Sequence, residues 1–169
     1  LYFKNIDIKL NVIISIFFSI IIVSYLKDKA TTNLELKYEQ MDEKLKNILP
    51  TPQFFKGNDD VIDFFFSVQD LYNYNQEAYE ECVDNMDVFL NLHNIIINNT
   101  YFRGQYYQIA ESKKFNILNS FHSIIFNLPH DKNVTDKFNR AHKRLETILN
   151  KYQNQMYDKY QNDILINGH

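Results

Sequence analysis

The chain has no tryptophan, one cysteine, three glycines and three prolines in 169 residues. A lone Cys82 closes no internal disulfide and supplies no multi-cysteine zinc site, which fits assembly in a reducing compartment rather than a secreted disulfide scaffold. So little glycine leaves no phosphate-cradling loop, and no Gly-x-Ser-x-Gly elbow is present. Strand alternation and hairpin dipeptides are missing as well, which predicts an all-α chain.

Positive charge is absent over a long stretch. From Asp59 to Phe102 there are nine acidic residues and no lysine or arginine, whereas Arg103 to Lys159 holds ten basic residues against five acidic ones. The net charge of −3 gives no global case for binding nucleic acid. Two readings follow from the uneven distribution. Either acidic early helices lie against basic later ones inside one bundle, or a two-signed surface docks partners by charge. The first is the simpler expectation. Arg140, His142, Lys143 and Arg144, with Lys137 one turn earlier, form the dense part of the basic half. No aromatic ladder or nucleic-acid motif accompanies them, so a solvated face or internal partner is expected.

The five histidines are His93, His122, His130, His142 and His169, and none stands in a Glu-x-x-His or His-x-x-x-His relation. No metal and no cofactor is therefore expected. His93 and His122 lie near apolar stripes, where hydrogen-bonded core positions are expected. Cys82 sits among Glu80, Glu81 and Asp84, which disfavour a thiolate. Asp59, Asp60 and Asp63 are explained by capping and the helix dipole before any acid-base role. The expectation is a protein that is not an enzyme and takes no small-molecule substrate.

What the chain does have is apolar and aromatic: fourteen phenylalanines, twelve tyrosines and one long hydrophobic run. Leu10 to Leu26 carries no charge and lies between Lys9 and Lys27. At about 1.5 Å per residue it covers roughly 25 Å, near the lower limit for a hydrocarbon core. This predicts a single transmembrane helix in residues 1–29, with Leu10, Val12, Ile13, Ile14, Ile16, Phe17, Phe18, Ile20, Ile21, Ile22, Val23, Tyr25 and Leu26 meeting the lipid bilayer. Snorkelling lysines and interfacial Tyr25 extend its reach.

A helical stalk and proline-containing linker is expected over 30–53, where Leu34, Tyr38, Met41, Leu45 and Ile48 alternate at spacings of four and three before Pro50 and Pro52. Residues 54–169 then predict an antiparallel bundle of about four helices. These run from about Asp59 to Tyr72, from Gln76 to Asn98, from Gln105 to before Pro129, and from Thr135 as N-cap to a frayed end after Asp163.

Four stretches bear on function: Phe54-Phe55-Lys56-Gly57-Asn58-Asp59-Asp60 running into Phe64-Phe65; Ala78-Tyr79-Glu80-Glu81 with Asp84-Asn85; Asn119 with His122 to Pro129; and Asp136-Lys137 with Asn139-Arg140-Ala141. Together they resemble the small membrane-anchored helical proteins of large icosahedral nucleocytoplasmic DNA viruses of algae and amoebae. The resemblance implies a minor capsid protein, a virion component in the internal membrane beneath the capsid, whose bundle contacts capsid or other virion proteins. On that expectation Phe54, Phe55, Lys56, Asp59, Asp60, Asp63 and Phe66 are the candidate partner interface. For the phenylalanines the competing role is intramolecular core. The alternative is a membrane-anchored tether or adaptor of an AT-rich eukaryote that recruits a protein partner.

Overall fold

A computed structural model of the chain describes residues 2–40, 43–48, 57–99 and 104–167, with side chains at 2–6, 24–35, 37–38, 44–45 and 163–167 outside the description. The described residues hold helices and no strand. Two compact units divide at Gln40 and Met41.

The first unit is one helix, α1, from Tyr2 to Glu39. Its 38 residues extend about 57 Å. From Leu10 to Val23 every described side chain is exposed, Val23 by 65%. Polar residues interrupt this surface only along the line Asn11, Ser15 and Ser19. The Ser19 hydroxyl donates to the Ser15 carbonyl at 2.9 Å, so it is satisfied within the helix. Among the described residues no helix is long and apolar enough to cross a membrane. The expected span therefore lacks that support, and its last turn, with Tyr25 and Leu26, lies outside the described side chains. The expected stalk is interrupted: α1 ends at Glu39 and a short α2 spans Glu43–Ile48. Of the seam, Met41 and the side chains of Leu34, Tyr38 and Leu45 lie outside the description, and Ile48 is half-buried.

The second unit is a helical bundle of α3 (Asp59–Ser67), α4 (Gln76–Asn98), α5 (Gly104–Ser123) and α6 (Lys132–Asn167). The expected first bundle helix does not run unbroken to Tyr72. It stops at Ser67, whose hydroxyl donates to the Phe64 carbonyl at 2.7 Å, and a 3-10 turn continues over Gln69–Asn73. That turn carries Leu71 and Tyr72 into the core. Helix α4 has the expected ends, and the Asn75 side chain caps it by accepting from the Ala78 N–H at 3.1 Å. Helix α5 passes into a second 3-10 turn, Ile124–Asn127, ahead of Pro129.

Helix α6 starts earlier than expected. Asp131, not Thr135, supplies the cap by accepting from the Asn133 N–H at 2.8 Å, and the Thr135 N–H already bonds the Asp131 carbonyl. At its far end the helix persists to Asn167, where fraying was expected.

Paired residues give the helix directions. Phe121 stacks on Phe138 while Tyr107 stacks on Tyr160, so α5 and α6 are antiparallel. His93 meets Gln155 and Lys159 reaches the Ile97 carbonyl, so α4 and α6 are parallel. Asp60 meets Lys151 and Asp70 meets Lys137, which sets α3 and its 3-10 extension antiparallel to α6. The core holds Ile62, Phe64, Phe65, Tyr79, Met86, Phe89, Ile96, Phe121, Phe138 and Leu145, none more than 2% exposed. Four helices wrap these side chains because each presents one apolar stripe that a single helix cannot bury alone.

Candidate functional site

The residues expected to bind a partner fall into three groups. Phe54, Phe55 and Lys56 lie outside the described residues. Phe64 and Phe65, beside them in the predicted aromatic helix, are core: their rings meet edge-on at 5.4 Å, and Phe64 packs 5.6 Å from Phe121. Phe66 is half-buried, Asp59 is exposed, and Asp63 is half-buried with an interaction of its own.

Asp60 has an internal task. Its carboxylate accepts from the Tyr152 hydroxyl at 2.7 Å, the Lys151 ammonium at 2.5 Å and the Val61 N–H at 3.0 Å. Burial pushes its pKa up, but the bonds from Lys151 and Tyr152, the Lys151 charge and the Val61 N–H outweigh it, and the group sits below its ordinary value. Periodicity alone leaves Asp60 a first-turn acid like Asp59; the cross-bundle partner ninety residues away is the missing signal.

The acidic and basic halves of the sequence do meet. Lys137 pairs with Asp70 at 2.6 Å and Lys151 with Asp60, while Arg144 donates to Ser67 Oγ at 3.1 Å and lies 5.9 Å above the Phe64 ring. Two members of the basic cluster, Lys137 and Arg144, thus tie α6 to the 3-10 turn and to α3, and Arg140 and Lys143 remain exposed. Helix α4 behaves differently: none of the described ion pairs uses its carboxylates. Glu80 accepts from the Tyr72 hydroxyl at 3.1 Å, and burial together with the neighbouring Asp84 charge raises the Asp87 pKa.

The histidines divide as well. His93 is half-buried rather than core, 2.8 Å from Gln155 Oε1 and edge-on to Tyr152, and its partial burial is the main cause of a lowered pKa. His122 is not a core residue; it is exposed at the edge of α5, with its ring 5.7 Å from that of His142. His142 in turn lies 3.3 Å from Glu146. Among the described residues no three His, Cys, Asp or Glu side chains gather in a way that could hold a metal ion.

Cys82 is 1% exposed, and burial, helped by the Glu81 charge, pushes its thiol up to about 12. The thiol is expected to resist maleimide or disulfide reagents in the native chain at neutral pH and to react stoichiometrically once denaturant is added. Rapid native labelling, measured by mass spectrometry, is the contrary result.

No family model, curated protein or solved structure matches this chain. The likeness to virion proteins thus rests on the four sequence stretches alone.

Proposed function

We propose that this chain is a membrane-anchored structural protein of a virion, with α1 held in the internal viral membrane and the bundle linking that membrane to the capsid shell. The observation that carries the anchor reading is α1 itself. It forms a compact unit by itself, and its apolar side chains from Leu10 to Val23 face outward in nearly every direction. A helix apolar on nearly all sides requires a nonpolar surrounding, either other protein or lipid. Three uncharged polar residues on one line do not bar it from lipid, because helical backbone and a back-bonded serine leave few unsatisfied groups. The reading requires Ser24, Tyr25 and Leu26 to complete the span, since the described stretch alone is too short.

The structural role is supported by the bundle. Lys137, Lys151 and Arg144 hold α6 against α3 and its 3-10 extension through Asp70, Asp60 and Ser67. Linking would proceed through avidity, since confinement to a membrane raises the local concentration of a modest interface and repetition over a lattice multiplies it. The virion location draws on the resemblance of the four stretches.

A quantitative protein inventory of purified particles, before and after detergent removes lipid, tests this function. Enrichment in particles with partial retention on the delipidated shell is expected. Enrichment in host membranes, with none in particles, would reject the virion role and assign the chain to the tether class.

A further inference from the structure

Three helices of the bundle are tied together at Tyr152 of α6. Its hydroxyl donates to Asp60 of α3 at 2.7 Å, the Lys151 ammonium lies 4.8 Å from the centre of its ring, and the His93 ring of α4 meets it edge-on, also at 4.8 Å. His93 is half-buried there, and its Nε2 lies 2.8 Å from Oε1 of Gln155, one turn further along α6. Beyond that, the Lys159 ammonium donates to the Ile97 carbonyl at 2.9 Å, so the second half of α4 is tied to α6 on either side of Ile96.

The two seams respond to different ranges of pH. Helix α3 is held by a carboxylate, Asp60, which keeps its charge until well below neutrality. Helix α4 is held at His93 by an imidazole, whose ordinary pKa is about 6.5. The titratable and charged groups that face His93 are Lys151 and Tyr152 from α6 and, across the Tyr152 ring, Asp59 and Asp60 from α3. Asp60 is already shared by Tyr152, Lys151 and the Val61 N–H. An imidazolium at His93 would therefore be a second cation beside Lys151, bonded to an amide and not to a carboxylate. Burial opposes that charge most, the Gln155 bond favours it in part, and Lys151 opposes it again.

We propose that His93 is a pH-sensitive latch between α4 and α6: when mild acid protonates it, the second half of α4 loosens from α6 while α3 stays held through Asp60. Phe89 and Ile96 share the face of α4 that carries His93, at spacings of four and three, and have no exposed surface in the closed bundle. Opening the latch would uncover them, so acid would turn a closed bundle into one that presents apolar surface on a single seam. The latch does not depend on the anchor reading, because every group in it belongs to the bundle unit.

Hydrogen exchange of the full chain in a mild detergent, followed by mass spectrometry at about pH 7.5 and about pH 5 and corrected for the intrinsic rate, tests this. On acidification, peptides spanning residues 89–98 should lose protection at least about threefold more than peptides spanning residues 59–67. His93→Gln stays neutral at either pH and keeps an amide that can bond Gln155, so it should abolish the difference. Gln155→Glu gives the imidazolium a carboxylate partner and should move the opening to lower pH. A wild type that protects α4 as well as α3 in acid would overturn the proposal. So would a His93→Gln chain that opens as the wild type does, an opening spread evenly over all helices, or a Gln155→Glu chain that opens at the wild-type pH.

Discussion

Replacing Phe64 with alanine is expected to cost the bundle about 3–5 kcal/mol, the usual loss for an aromatic residue removed from a closed core. Phe64 has no exposed surface, contacts Phe65 and Phe121 ring to ring, and lies beneath the Arg144 guanidinium. Its removal would leave a cavity between α3, α5 and α6 and take away the surface on which Arg144 rests. Against the 5–15 kcal/mol that holds a typical domain together, this loss is a large share. The urea midpoint should fall by more than about 1 M with little change in slope. Phe115→Ala provides the contrast: at 65% exposed it should shift stability by no more than about 0.5 kcal/mol. Equal losses at the two positions would place the core wrongly.

The second large effect is at Asp60. Alanine there removes the acceptor of the Tyr152 hydroxyl, on a side chain only 3% exposed. A buried hydroxyl left without a partner, together with the lost charge-assisted bonds, amounts to about 2–3 kcal/mol. Lys151 adds little to this, because its side chain is 52% exposed and water screens the pair. Tyr152→Phe removes the stranded hydroxyl, so the double variant should lose less than the sum of the singles.

Acidification probes the same site. The folded pKa of Asp60 is depressed, so its contribution is present above the ordinary carboxylate value and is lost as pH falls through the folded value. His93 is also depressed in the fold, and its contribution likewise holds above the ordinary histidine value and is lost on acidification. Stability should decline from about pH 6.5 downward, and the Asp60 contribution is lost through the carboxylate range, where the raised Asp87 acts in the opposite sense. Asp60→Ala should flatten the lower part of that profile. A wild-type stability that rises on acidification would contradict both assignments.

Much of the bundle was legible in the residue pattern. The ends of α4 follow from a polar Asn75 before an apolar stripe, and both features are local. The break inside the first bundle helix is not local. Val68 and Leu71 continue the apolar run, and only packing of the 3-10 turn into the core shows why the helix tightens after Ser67. The start of α6 was expected at Thr135, and Asp131, four residues earlier, is a capping residue type as well. The aspartate prevails, and the Thr135 N–H is by then inside the hydrogen-bond ladder.

The surface was harder to read. A run in which Phe64, Phe65 and Phe66 follow one another cannot say which ring faces inward, and the structure buries the first two. Phe115 had no place in the apolar stripe expected of that helix, and its exposure is 65%. The spacing of Ala110, Ile117 and Phe121 places it well off the buried face, and that was the available signal. His93 and His122 looked alike beside their stripes. They diverge because His93 faces Gln155 of α6, whereas His122 sits at the bundle edge.

The anchor is the central claim, and extraction of cellular membranes with alkaline carbonate tests it most directly. The full chain should stay in the membrane pellet and leave it only with detergent. The paired substitution of Ile16→Arg and Ile20→Arg should move it to the supernatant, because each arginine near the middle of a span costs about 2.5–3.5 kcal/mol on insertion. Recovery of the wild-type chain in the carbonate supernatant would contradict the account, and α1 would then have to find its nonpolar partner in another protein.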